Sequence, residues 1–362
     1  MATTFRLGSM LGDGIGPEIV PAGQRVVDAA IDAVGANPVD WVELPMGATA
    51  LAEYGTPMPQ VTKDALRDTH GWVIGPHDSE SYGAEWKARG ERPPGGELRH
   101  SFELYANIRP SRNRPGVPSL VSGVDIVTVR ENTEGFYADR NMVRGSGEFM
   151  PSEDVALVVG VFTRRAIERI ARTAFELAST RRKKVVAVHK GNVVPMAFGL
   201  MLDVCREVGS EFPGVEFSDC LFDAMTAHLV RHPQDYDVIV TENMFGDVLS
   251  DLTGELVGSL GLSASLNCSE THAMSQAAHG SAPDIAGQGK ANPIGLILSN
   301  AMLLDWLGQR HESPQLVDAA RRIDAAIDRV LADGPRTPDM GGSATTDEFT
   351  GAVVEAVGSE AG

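Results

Sequence analysis

Apolar runs alternate with amphipathic stretches along this chain, and the alternation predicts strands and helices in turn. Residues 238–240, Val-Ile-Val, form a β-branched run of the kind that is buried on both faces of a parallel sheet. The run breaks at Thr241-Glu242-Asn243, and a helical pattern follows. Apolar runs at 5–11, 41–44, 72–74, 124–130 and 184–188 predict further strands. Helices are expected at 17–34, 62–69, 97–107, 163–179, 195–208, 222–230, 294–307 and 314–332. Pro17 suits a first helical turn, Pro110 is expected to close the 97–107 helix, and Thr163 is placed to cap the one after it. Residues 90–96, GERPPGG, and 280–293 read as breaker-rich loops. Residues 155–162 are almost continuously apolar and β-branched, a candidate arm for pairing with another subunit. Strands alternating with helices indicate an α/β chain with a largely parallel sheet.

Composition narrows the function. The 362 residues leave room for two domains. Net charge is 31 − 49 = −18, which argues against nucleic acid or an anionic membrane as partner. A small anionic substrate stays compatible, because a local arginine cluster overrides the global field. The N-terminus lacks a basic segment followed by an apolar core, and no apolar run approaches the roughly 18 residues of a membrane span. Cys205, Cys220 and Cys268 are scattered without a CxxC, which reads as reduced cysteines and a cytoplasmic location.

Chemically loaded clusters follow several strands: GDGIGPE at 12–18, RENTEGFY at 130–137, HKGN at 189–192 and TENMFGD at 241–247. The first is not the dinucleotide fingerprint, since GxGxxG from Gly12 would need glycine where Pro17 stands. Asp247 and Asp251 lie four apart, on one face of a helix. They are either solvated surface acids or, with Asp223, ligands for one hard cation; an all-aspartate set favours Mg²⁺ or Mn²⁺ over Zn²⁺. Arg99, Arg109 and Arg130 flank helix and strand ends, and three converging guanidinium groups would suit a di- or tricarboxylate. Tyr137 and Lys190 each sit just past a strand end and can serve as general acid and base, although a lysine there can also simply snorkel. His228 and His232 read as ordinary histidines. The segment from His279 to Ile285 is either a plain surface loop or one that wraps an adenosine. In the second case Asp284 would accept from the ribose hydroxyls and repel a 2′-phosphate.

Taken together, GDGIGPE, LRxxxxLYANIRP, VRENTEGFYA, HKGN, DAMTAHLV, NMFGDVLSDL, HGSAPDIAG and ANPIG, in this order, resemble the isocitrate/isopropylmalate dehydrogenase family of β-decarboxylating dehydrogenases. The resemblance covers nearly the whole chain. It implies an isopropylmalate dehydrogenase-like two-domain α/β fold with a central mixed, largely parallel sheet, not a Rossmann fold. Residues 1–104 with 258–362 would form the first, cofactor-binding domain. Residues 105–257 would form the second, with the dimer interface and an arm at about 139–162. It implies a homodimer with shared active sites. Arg99, Arg109 and Arg130 would clamp substrate carboxylates, and Tyr137 and Lys190 would be the acid/base pair. Asp223, Asp247 and Asp251 would bind the metal. Lys190 and Asp223 would reach the site from the neighbouring subunit. Ile15, His279, Gly280, Asp284, Ile285 and Asn292 would contact the cofactor, and Asp284-Ile285 matches the NAD-using branch. The implied cofactors are NAD and Mg²⁺ or Mn²⁺, with K⁺ as a further candidate. The implied reaction is hydride transfer from C2 to NAD⁺ as Lys190 takes the hydroxyl proton, loss of CO₂ from C3, and protonation by Tyr137.

The chain departs from the family where the C3 substituent is read. Isopropylmalate enzymes place two leucines three and four residues before the arginine; here those positions are Gly96 and Gly95. The serine and asparagine typical of isocitrate enzymes are missing too. Gln276-Ala277-Ala278 stands where Glu-Pro-Val is frequent. The leading expectation is oxidative decarboxylation of a 3-substituted malate. Tartrate, D-malate and homoisocitrate are alternative substrates, and a non-catalytic regulatory subunit or a binding protein without turnover is a remote one.

Overall fold

A computed structural model describes residues 4–137 and 147–359. In chain order the elements are β1 (Arg6–Met10), α1 (Gly16–Ala33), β2 (Asp40–Glu43), α2 (Ala48–Tyr54), α3 (Gln60–Leu66), β3 (Gly71–Ile74), α4 (Gly83–Arg89), α5 (Pro94–Ser101), β4 (Ala106–Arg112), β5 (Asp125–Glu131), β6 (Glu148–Ser152) and β7 (Val155–Val158). They continue with α6 (Arg164–Ser179), β8 (Lys184–His189), α7 (Pro195–Gly209), β9 (Glu216–Leu221), α8 (Phe222–Arg231), β10 (Val238–Thr241), α9 (Asn243–Val257), β11 (Leu266–Cys268), β12 (Ala273–Gln276), α10 (Ile294–Arg310), α11 (Pro314–Asp333) and α12 (Thr346–Gly358). Ten strands form one mixed sheet in the order β2-β1-β3-β12-β11-β4-β5-β10-β8-β9. Pairing is parallel except around β11, which runs antiparallel to β12 and β4, and between β4 and β5. The expected α/β architecture with a mixed, largely parallel sheet is therefore what the chain adopts.

Strand alternation decides which side chains meet. Val127, Val129, Val185, Ala187, Val238 and Val240 join the core under α6 and α7. Ile126, Val186, Val188 and Ile239 point the other way, toward Met225 and Leu229 of α8 and Leu249 and Leu256 of α9. In β4 and β5 the even–odd rule places Arg109 and Arg130 on the α9 side, with Asn107 opposite Arg130 and Arg109 opposite Thr128. The two arginines are thus carried under α9 by strands whose alternate residues fill the core.

Two expectations are corrected. The helix expected at 97–107 spans Pro94–Ser101 instead, and residues 106–112 are strand. Pro110 does not close a helix. It lies inside β4, past the part of the strand that β11 covers, where a missing N–H disturbs only one ladder. Gly95 and Gly96, read as loop, are buried in the first turn of α5. Thr163 does cap α6, its side chain accepting from the Ala166 N–H. The expected arm falls partly outside the described residues, at 138–146. The rest forms the two-stranded β6–β7 ribbon, every residue of which is exposed, Met150 and Val158 included. Among the described residues no helix is long and apolar enough to cross a membrane.

Candidate functional site

The site is built around the start of α9. Glu242 is its N-cap and accepts from the backbone N–H groups of Met244 and Phe245 at 3.0 and 2.6 Å. The same carboxylate accepts from Phe136 N–H, and Gly135, with φ at 92°, leaves room for it; a Cβ there would sit 2.4 Å from Glu242 Oε2. This capping contact joins the RENTEG and TENMFGD segments, which lie more than a hundred residues apart. At Gly246 a Cβ would sit 2.6 Å from Arg130 Cγ, so the arginine stem lies directly on the helix backbone.

Asp247 is the hub. Its Oδ1 accepts from Arg130 and, at 3.2 Å, from Arg109 Nη1; its Oδ2 accepts from the Tyr137 hydroxyl at 2.8 Å. Arg130 is further held by Asn243 Oδ1 and lies over the Tyr137 ring at 5.7 Å. Arg109 is oriented by Asn107 and Ser250. Burial, then the adjacent Arg130 charge, pushes Arg109 down to about 10, against the pull of Asp247 and Asp251, so it stays cationic at neutral pH. Burial would raise Asp247, but Arg130, Arg109 and the Tyr137 hydroxyl override it and hold the carboxyl below its usual range; Arg99 adds to the same effect. Asp251, one turn on, lies 3.6 Å from Arg109 and is raised, by burial first and by Asp247 as well. Asn107, Asn243 and Ser250 were not singled out from the sequence, although YANIRP and TENMFGD contain the two asparagines.

Arg99 approaches from α5. Its Nε donates to Asn267 Oδ1 at 3.0 Å and its Nη2 to Gln276 Oε1 at 3.2 Å. Lys190 and Asp223 pair with each other at 2.5 Å, which holds the exposed Asp223 carboxyl below its usual range. Among the described residues of one chain, no three His, Cys, Asp or Glu side chains come together in a way that could hold a metal. Asp247 and Asp251 do fit a hard divalent cation: both donors are oxygens on one helix face, and such an ion needs only one or two carboxylates.

The GDGIGPE loop meets the 279–292 loop. Ile15 N–H donates to Ser281 carbonyl at 2.9 Å, Gly14 approaches the same carbonyl with φ at 58°, and Gly287 N–H donates to Glu18 at 2.6 Å. His279 is lowered by burial, and its Nδ1 contacts the Gly280 carbonyl. Asn292 is buried, donating to Asp339 and accepting from Ile294 N–H at the start of α10. Asp284 is exposed and Ile285 half-buried. A cavity of about 430 Å³ reaches Gly96 and Arg99, while another of about 820 Å³ touches none of the candidate residues.

This fold and this arginine–aspartate–tyrosine cluster define a class that comparison identifies. Residues 6–353 match the family model described as isocitrate/isopropylmalate dehydrogenase. The chain is similar to the isocitrate/homoisocitrate dehydrogenase of Thermus thermophilus, at 42% identity over 354 residues and 98% of each chain. It is also similar to the 3-isopropylmalate dehydrogenase of Archaeoglobus fulgidus, at 39% identity, covering 94% of this chain and 96% of the relative. The crystal structure of isocitrate dehydrogenase from Methylococcus capsulatus superposes with a TM-score of 0.86 at 38% identity, covering 98% of this chain and 100% of that one. The chain belongs to the isocitrate/isopropylmalate dehydrogenase family. It is, accordingly, an oxidoreductase of the dehydrogenase class acting on a CH–OH group.

Proposed function

We propose that the chain catalyses NAD-dependent, divalent-metal-dependent oxidative decarboxylation of a 3-substituted malate-type 2-hydroxy acid, as a homodimer with shared active sites. The observation that carries this reading is the convergence of Arg109, Arg130 and Tyr137 on Asp247, with Asp251 one turn away. Residues 1–104 with 258–362 would form the cofactor-binding unit, and 105–257 the unit carrying the dimer interface. The exposed apolar β6–β7 ribbon supports self-association.

Arg99, Arg109 and Arg130 bind and orient the substrate carboxylates. The partner subunit's Lys190 takes the C2 hydroxyl proton, directly or through water, as hydride leaves C2 for NAD⁺. CO₂ then leaves C3, and Tyr137 gives its proton to C3. Asp247 and Asp251, with the partner subunit's Asp223, would hold Mg²⁺ or Mn²⁺. Such an ion, when bound, supplies positive charge against the negative charge that develops on the C2 oxygen. His279, Asp284, Ile285 and Asn292 would cradle the adenosine half of NAD, and Ile15 and Gly280 would also contact the cofactor. The exposed Asp284 accepts from ribose hydroxyls and disfavours a 2′-phosphate.

The test is NADH absorbance with D-malate, tartrate, isocitrate, homoisocitrate and 3-isopropylmalate, each with Mn²⁺ and K⁺. Chelator should abolish turnover and Mn²⁺ restore it. No turnover on any of the acids, despite measurable NAD binding, would sink this reading. A non-catalytic regulatory subunit is disfavoured because Tyr137, Lys190 and all three aspartates are present.

A further inference from the structure

Three neighbouring parallel strands, β2, β1 and β3, end side by side, and the segments that follow them meet at one carboxylate. Asp13 follows β1, in the GDGIGPE loop. Its Oδ1 accepts from the Ala48 N–H at 2.7 Å, at the start of α2 after β2. Its Oδ2 accepts from the Asp78 N–H at 2.8 Å and from the Tyr82 hydroxyl at 2.6 Å, both past β3. Its own N–H donates to the Pro76 carbonyl at 2.8 Å. Gly47, with φ at 86°, makes the approach possible, because a Cβ there would sit 2.5 Å from Asp13 Oδ1.

Asp13 and Tyr82 are both buried. A buried carboxylate is costly unless its oxygens are bonded, and none of these three donors is a cation. The negative group is needed for a different reason. Ala48 and Asp78 present backbone N–H groups, which can only donate, to opposite oxygens of the carboxylate. An asparagine would turn its NH₂ toward one of them in either orientation. Burial, then the bond to Asp13, holds the Tyr82 hydroxyl above the ordinary tyrosine range, so it stays protonated at neutral pH. The far side of the same loop is tied to the 279–292 loop, where Ile15 N–H meets the Ser281 carbonyl, and Gly16 N–H returns to the Asp13 carbonyl at 2.9 Å.

We propose that Asp13 is a positioning residue for cofactor binding: its carboxylate locks the GDGIGPE loop onto the segments after β2 and β3, so that Ile15 and the adjoining 279–281 segment are held in place for NAD. This inference rests on the dehydrogenase reading above, which gives Ile15, His279 and Gly280 their cofactor contacts.

The experiment measures NAD⁺ binding to the full-length protein by titration calorimetry. KM and kcat follow from NADH absorbance with Mn²⁺ and whichever of the acids above the wild type oxidises, and denaturant melts check that each variant folds. Asp13→Asn should weaken NAD⁺ binding and raise KM for NAD⁺ by about tenfold, with KM for the acid and kcat moving about threefold or less. Gly47→Ala presses on the same carboxylate and should move KM for NAD⁺ in the same direction; combined with Asp13→Asn it should cost less than the sum of the two. Tyr82→Phe leaves both backbone donors bonded and should cost only about threefold. If Asp13→Asn fails to fold, the other two variants decide. Folded variants that bind NAD⁺ as the wild type does, or that raise both KM values alike, overturn the proposal and leave the dehydrogenase reading standing. Loss of NAD⁺ affinity in the variants, without turnover of any acid by the wild type, keeps the role of Asp13 and sinks the dehydrogenase reading. A wild type that does not bind NAD⁺ sinks both.

Discussion

Two regions of one chain carry the proposed chemistry, and they are built differently. The Asp247 region is preassembled: strands β4 and β5 drive Arg109 and Arg130 beneath α9, and Glu242, Asn243 and Ser250 fix the helix and the guanidinium groups. The Lys190–Asp223 corner is more open, with Asp223 largely exposed, and its two residues pair with each other. Buried charge must be matched inside the chain that buries it, whereas exposed charge is solvated and free to serve a neighbour. The contrast accords with the proposed site shared between two copies.

The largest effect should come from breaking the hub. Asp247→Asn should lower kcat/KM by about 10³-fold, because it removes the negative charge of the proposed metal ligand and one of the two oxygens that accept from Arg109, Arg130 and Tyr137. Near-wild-type activity at saturating Mn²⁺ would remove Asp247 from the chemistry.

A mixing experiment tests the division between the regions directly. Asp247→Asn and Lys190→Ala should each be inactive as homodimers. Co-refolded in equal amounts, they should recover about a quarter of wild-type activity, since half the dimers carry one intact shared site. No recovery, with mixed dimers present, would place Lys190 and Asp247 in the same chain's site.

Smaller effects probe how α9 is held. Gly246→Ala should cost about 1–3 kcal/mol, by pressing on the Arg130 stem, and raise KM more than it lowers kcat. Glu242→Ala should cost about 1 kcal/mol through loss of the cap. Denaturant melts read both, and unchanged midpoints would mean that the helix is held from elsewhere.

Much of this was legible in the residues. The β10–α9 unit, its acids on one face and the Thr163 cap follow from local period and capping chemistry. The capping box of Thr345 and Glu348 announced α12 just as clearly, yet α12 was not among the expected helices. The three-residue β11 carries no period of its own and is strand only because β4 and β12 flank it. Pro110 pointed to a helix end, but the sheet accepted it where β11 stops.

The sequence by itself determined which chemical groups are present, their periods on local elements, and the missing leucines at Gly95 and Gly96. Tertiary structure alone decided the meetings. It set Asp223 beside Lys190 rather than beside Asp247, and it brought Ala48, Asp78 and Tyr82 to Asp13. The reason is physical: capping and helical period act over a few residues, while the strand order that joins β2, β1 and β3 is fixed by burying both faces of one sheet.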